Sequence, residues 1–276
     1  MNKIKVLLNL TRMGLGDTVQ FGIVLKHLTR YRPHWVVDCV TEWSLKHAVE
    51  SLCNTWMSEA DASILKHYDV AINLSANEFF CTFPDRPSTR VATLLRGTFG
   101  IEQYDADLGR YEVWNIPIRQ EEWFATFHQP EVVCHFASAS YKLKKEIPQK
   151  DQSQIFFNGA VTCDLGFRKF NVGELATFIR GAKAFVGIDS GPGKVASSTD
   201  IPTLICWTGH HPIRYHDPAP NTTHLIPVDW PSLPPFDEPG GVDALSFFRA
   251  NYRFRTYVPG ELGIEARQWL KEVLGE

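Results

Sequence analysis

Two short glycine-bearing turns hold the residues best suited to chemistry. In the first, Met13-Gly14-Leu15-Gly16-Asp17-Thr18 follows a run of branched apolar residues and precedes a stretch with helical apolar spacing. Glycine lets a backbone come close to a ligand, and the N–H groups at a helix start attract an anion. Asp17 has two readings here. It caps the helix, or, held in a cleft, it takes the proton from an attacking hydroxyl, a job that needs a carboxylate within hydrogen-bond reach. The second turn is Asp189-Ser190-Gly191-Pro192-Gly193-Lys194, again between an apolar run and a helical one. Its amides, the Ser190 hydroxyl and the Lys194 ammonium offer a cradle for phosphate, with a purely structural strand-to-helix turn as the plainer alternative.

Other candidates carry less. His210, His211, His216 and Asp217 match no helical metal-ligand pair, and no metal is expected of them. Asn221-Thr222-Thr223 fits a glycosylation acceptor by pattern alone. Trp114, Trp123 and Phe124 are expected to pack a junction between halves more than to line a cleft.

The elements that must position the two turns follow from hydrophobic periodicity. Residues 4–10 read as a strand and 19–28 as a helix, with a second strand over 35–40. Asp38, near the end of that strand, sits where an acidic residue often meets a ribose. A further strand is expected over 68–74, and a helix capped by Ser88 ends near Gly97 or Gly100. The segment 104–128 is irregular and contains the expected junction, near residue 125. Beyond it, 132–136, 154–157, 184–189 and 203–207 are short apolar runs, 172–182 is a helix, 218–239 is proline-rich and irregular, and 261–274 is an amphipathic helix. This alternation predicts an α/β fold of parallel sheets with ligands at the carboxyl ends of the strands, divided into domains 1–125 and 126–276.

Composition narrows the function classes. Of 276 residues, 44% are hydrophobic and 21% charged, the balance of an ordinary folded chain. Lys and Arg number 28 against 31 Asp and Glu, with no basic surplus in either half, which argues against extended nucleic-acid binding. Six cysteines, Cys39, Cys53, Cys81, Cys134, Cys163 and Cys206, show no paired spacing and read as free thiols in a reducing compartment. The opening apolar run breaks at Asn9 and reads as a strand, not a signal peptide. No apolar stretch is long enough to span a bilayer, while peripheral membrane contact stays open.

Taken in order, the two turns resemble those of the ADP-heptose:lipopolysaccharide heptosyltransferases, glycosyltransferase family nine. Residues 5–28 look like the family's first strand, Gly-Asp turn and helix. Phe136-Ala-Ser-Ala-Ser-Tyr-Lys142 looks like its second-domain strand followed by a lysine, and residues 185–207 look like its Asp-Ser-Gly-Pro donor motif. The resemblance implies the GT-B architecture: two Rossmann-like domains facing a central cleft, with the acceptor on the first, the donor on the second, and a C-terminal helix returning to the first. It implies Asp17 as base, Gly14, Gly16 and Thr18 as the acceptor-side turn, and one of Lys142, Lys144 and Lys145 as the lysine on the donor diphosphate. Asp189, Ser190, Gly191, Pro192, Gly193 and Lys194 would form the donor turn, with Thr208, Gly209 and Arg214 in a donor loop. Also implied are an inverting, metal-independent transfer without cofactor, a nucleoside diphosphate sugar such as an ADP-linked one as donor, a glycan or other hydroxyl as acceptor, and a cytoplasmic setting.

The chain departs from the pattern in two places. Lys194 stands where the family has histidine, and the interval between Lys145 and Asp164 is short. The sugar, the nucleotide and the acceptor therefore stay open, as do transfer to a protein or a nucleic-acid base and a non-catalytic nucleotide-binding module.

Overall fold

A computed structural model describes residues 2–75, 90–105, 107–114, 130–138, 145–155, 170–208, 212–228, 250 and 252–275. Val6, Leu7, Leu8 and Leu10 bury both faces of strand β1 (Ile4–Arg12), as expected of a strand inside a parallel sheet. It runs parallel to β2 (Trp35–Val40), with Ile4 opposite Trp35. Beyond β2 lies the short β3 (Thr55–Met57), which leads to helix α2 (Ala62–Leu65). On its other side β1 meets β4 (Val70–Ser75), with Val6 opposite Val70, so the order is β3-β2-β1-β4. The chain leaves β1 through helix α1 (Leu15–Tyr31) toward β2, and helix α3 (Arg90–Phe99) follows β4. Strand order therefore reverses between β1 and β4, the point where open α/β sheets bind ligands.

The second sheet is also parallel, in the order β5 (Val132–His135), β6 (Ala184–Ile188), β7 (Thr203–Cys206), β8 (Thr222–Pro227), β9 (Arg253–Tyr257). Helix α4 (Gln149–Ile155) follows β5. Helix α5 (Val172–Arg180) precedes β6, started by a reciprocal cap in which Asn171 accepts from the Glu174 N–H and Glu174 accepts from that of Asn171. Helix α6 (Gly191–Ser197) joins β6 to β7, and the short α7 (Pro212–Tyr215) lies before β8. The last helix is α8 (Leu262–Leu274).

One apolar core runs through both halves, from Val6, Phe21 and Leu25 to Leu175, Ala196 and Ile205. Helix α1 packs on α6, and the 3₁₀ turn Trp43–Ala48 packs on α5. A second core, built from Val132, Val186, Leu204 and Leu225, fills the far face of the second sheet beneath α8. Removing each large apolar side chain of these cores from water contributes about 1.5 to 3 kcal/mol. Among the described residues no helix is long and apolar enough to cross a membrane. Cys39, Cys134 and Cys206 are buried free thiols and Cys53 is a half-buried one; Cys81 and Cys163 lie outside the described residues.

Several expectations change. The described part of 154–157, Gln154 and Ile155, ends helix α4, where Ile155 and Asp151 one turn earlier both face inward. Residues 222–227 form strand β8 within the proline-rich segment, since Thr222, Thr223, His224 and Leu225 pair along β7 and the prolines stay at its margins. Among the described residues helix α8, expected to return to the first half, packs on the second: Ala266, Trp269 and Leu270 insert into the second core, and the Gly263 N–H donates to Asp151 of α4 at 3.2 Å. Asp38 is committed within its own half, accepting from Asn54 at 2.8 Å and from the Tyr68 hydroxyl at 2.7 Å. Trp114 is 55% exposed rather than packed, while Trp123, Phe124, Ser88 and the expected junction at 125 lie outside the described residues.

Candidate active site

The two glycine turns meet. Helix α1 begins after Gly14, whose carbonyl accepts from the Thr18 N–H at 2.9 Å and from the Thr18 hydroxyl at 3.0 Å. Asp17 is thus inside the first turn and is not the cap. Across from it, Ser190 occupies the cap position of α6 without making a capping bond. Its hydroxyl lies instead 3.0 Å from Nδ1 of His135, at the end of β5, and 3.3 Å from the Ile188 carbonyl. A methyl group added to Gly191 would sit 2.8 Å from the Leu15 side chain, and one added to Gly16 would sit 3.3 Å from the Gly191 Cα. Only glycine lets the turns approach this closely. Beside their contact opens a cleft of about 500 Å³ that Gly16, Asp17 and Arg90 line from the first half and Lys145, Asp189 and Ser190 from the second.

Its charges are arranged as one ion pair on one wall and a carboxylate shared by two ammonium groups on the other. Arg90, at the start of α3 beyond the strand-order reversal, donates to Asp17 Oδ1 at 3.0 Å. On the other wall Asp189 is 3% exposed and receives two ammonium groups, Lys145 at 2.7 Å on Oδ2 and Lys194 at 3.1 Å on Oδ1. Burial alone would push the Asp189 carboxyl upward, but Lys194 and Lys145 outweigh it and hold it below the usual carboxylate range. Burial pulls Lys194 down, opposed by Asp189. The ring of Tyr215, at the end of α7, lies under both remaining cations, 4.2 Å from the Arg90 guanidinium carbon and 5.2 Å from the Lys145 nitrogen.

Behind this cluster lies a buried polar network between the halves. Asp217 is fully buried and accepts from Gln20 of α1 at 2.6 Å and from the Tyr104 hydroxyl at 2.9 Å. His216 shares hydrogen bonds with Ser197 at 3.2 Å and with the Asp217 carbonyl at 2.8 Å. Burial, reinforced by Lys194, brings His216 down to about 4.

Of the residues singled out by sequence, Gly14, Gly16, Asp17, Lys145, Asp189, Ser190, Gly191 and Lys194 line one cleft. Thr18 is buried and bonds back to Gly14, and Pro192 and Gly193 are buried in the first turn of α6. Thr208 is exposed and does not line the cleft. Lys142, Lys144, Gly209, His210 and His211 lie outside the described residues, as does the side chain of Arg214 on α7. Sequence reasoning missed Arg90, His135 and Tyr215. A histidine ending an otherwise apolar buried strand is a signal that could have drawn attention to His135; no motif marks Arg90 or Tyr215, which reach the cleft from other elements, α3 and α7.

Neither a protein-family sequence model nor a curated protein matches the chain. Solved structures match it by fold. A glycosyl transferase of family 9 from Veillonella parvula DSM 2008 superposes with a TM-score of 0.62 at 14% identity, covering 100% of this chain and 98% of that one. The E. coli heptosyltransferase WaaC with ADP gives 0.54 at 12% identity, covering 98% and 100%. The iron-containing dodecameric glycosyltransferase TibC from enterotoxigenic E. coli H10407 gives 0.56 at 11% identity, covering 80% of this chain and 64% of the longer one. What is shared is the fold: an α/β chain with two parallel sheets, as in these GT-B-like glycosyltransferases.

Proposed function

We propose that the chain transfers a glycosyl group from a nucleoside diphosphate sugar, an ADP-linked one by its fold neighbours, to a hydroxyl acceptor. The observation that carries the reading is the placement of Asp17 across one cleft from the Lys145–Asp189–Lys194 cluster, with the Ser190 hydroxyl beside it. A carboxylate facing a cation-rich turn is what displacement of a diphosphate requires. The acceptor hydroxyl gives its proton to Asp17 as its oxygen bonds to the anomeric carbon. The bond from that carbon to the donor diphosphate breaks, and the electron pair leaves on the diphosphate. Lys145 and the amides opening α6 offset the charge that develops there. Arg90 orients the Asp17 carboxylate. A single displacement inverts the anomeric centre, and these groups supply base and counter-charge without metal or cofactor. The proposed acceptor is a glycan or other hydroxyl, and the proposed setting is cytoplasmic.

The Asp17→Asn variant tests this. Asparagine keeps size and polarity but cannot take the proton, so the variant should fold, bind the nucleotide sugar with near-parent affinity and lose about two to four orders of magnitude in transfer rate. Because Gly14 occupies the cap, a structural role for Asp17 would have to show as lost melting temperature. Calorimetric titration with nucleoside diphosphates and their sugars, followed by turnover, separates these results; unaltered turnover would remove Asp17 from the mechanism.

A further inference from the structure

The geometry points to Tyr215 as a positioning residue that holds Arg90 and Lys145, the cations of the two walls, at their stations in the cleft for an anionic diphosphate ligand. The inference rests on the proposed function, because it assigns the cleft a diphosphate.

Three observations converge. First, the ring lies 4.2 Å from the Arg90 guanidinium carbon and 5.2 Å from the Lys145 nitrogen, both inside the range where a cation is drawn to an aromatic face. Second, each of these cations is ion-paired on its own wall: Arg90 with Asp17 at 3.0 Å and Lys145 with Asp189 at 2.7 Å. Tyr215 therefore touches one cation of the acceptor-side wall and one of the donor-side wall. Third, Tyr215 is anchored from behind. It ends α7, and the next two residues, His216 and Asp217, are fully buried in the network that reaches Gln20 and Tyr104 of the first half. A ring fixed to both halves can set the distance between two long, otherwise adaptable side chains. Lys145 and Arg90 are nearly buried, at 14% and 9% side-chain exposure, so holding them in place conserves ordering that a ligand would otherwise have to impose. Lys194 needs no such help, since it is enclosed by α6 and pinned on Asp189.

The test is ADP affinity of the full chain, measured by calorimetry for the parent, Tyr215→Phe and Tyr215→Leu, each also combined with Lys145→Ala or with Arg90→Met. Phenylalanine keeps the ring face and should bind ADP within about twofold of the parent, whereas leucine should weaken binding about 3- to 30-fold, the span of one partly desolvated cation–aromatic contact. If Tyr215 acts through Lys145, leucine should cost less than about twofold once Lys145 is alanine. Parent-like binding by Tyr215→Leu, or the same fold-loss whether the background is the parent, Lys145→Ala or Arg90→Met, overturns the assignment. Should the parent itself bind neither ADP nor inorganic pyrophosphate, the functional reading fails separately. The contact is then still decided by urea unfolding of Tyr215→Leu, Arg90→Met and the double variant: strictly additive losses would overturn the positioning role, and a coupled loss would uphold it.

Discussion

At the scale of residues, the two lysines that share Asp189 have different burdens. Lys145 is at the cleft wall with 14% of its side chain exposed, while Lys194 is 5% exposed and enclosed by its own helix. Lys145→Ala should therefore weaken nucleoside diphosphate binding by about 1.5 to 3 kcal/mol, the worth of one charge-assisted contact, and lower the melting temperature less than loss of Lys194 does. Lys194→Met should do the reverse: breaking a buried pair costs about 3 to 5 kcal/mol in stability. Calorimetry and urea unfolding on the two variants check the split. Equal losses of affinity with no loss of stability would show that both ammonium groups serve the ligand. The lysine at 194 in place of the expected histidine thus acquires a physical role, as the inner counter-ion of a carboxylate that a neutral imidazole would compensate less well.

At the scale of elements, the cleft depends on how closely α1 approaches α6. Their contact is backbone against backbone at Gly16 and Gly191, with Leu15 packed where a Gly191 side chain would be. Gly191→Ala should force the turns apart, at a cost of about 1 to 3 kcal/mol for overpacking, and should weaken nucleotide binding as the Lys145 and Ser190 wall moves from Asp17. Unfolding and ADP titration read both effects; a variant with parent stability and affinity would show that the approach is looser than the 2.8 Å clash implies. The strand–turn–helix pieces were legible in sequence because each carries its own period and its own glycine punctuation. Residues 184–188 and 203–206 needed no partner to be recognised. Strand β8 was not legible, because prolines flank it and only pairing with β7 selects the extended form. The final helix was read correctly as amphipathic, but an apolar stripe carries no address. Trp269 and Leu270 could have covered either sheet, and the complementary surface of α4 and the second sheet decided.

At the scale of the molecule, the halves are joined by a polar seam that titrates. His216 is fully buried with a pKa of about 4, against an ordinary value of 6.5. Between those values the unfolded chain takes up a proton that the folded chain does not. Stability from this group is therefore complete above about pH 6.5 and falls as pH drops toward 4, by on the order of 3 kcal/mol. His27, also buried and lowered by desolvation, pulls in the same direction. Asp189, held below its ordinary 3.8, adds a further loss only as pH falls beneath about 4. Urea unfolding from pH 8 to 4 should show this slope, and His216→Gln should flatten it; an unchanged slope in that variant would place the titration elsewhere.

The sequence by itself determined the class of the fold, the two glycine turns and the residue types at them, because strand and helix periods and turn glycines act over a few neighbouring residues. It also singled out Asp17 and the turn from Asp189 to Lys194, which line one cleft. Tertiary structure decided which side chains meet there. Arg90 reaches Asp17 from 73 residues away and Lys145 reaches Asp189 from 44. Tyr215 comes under both cations, one from each half, only in the folded chain. A charge on a chain has no partner until burial removes water as the competitor, and which charges are buried together is a property of how whole elements pack.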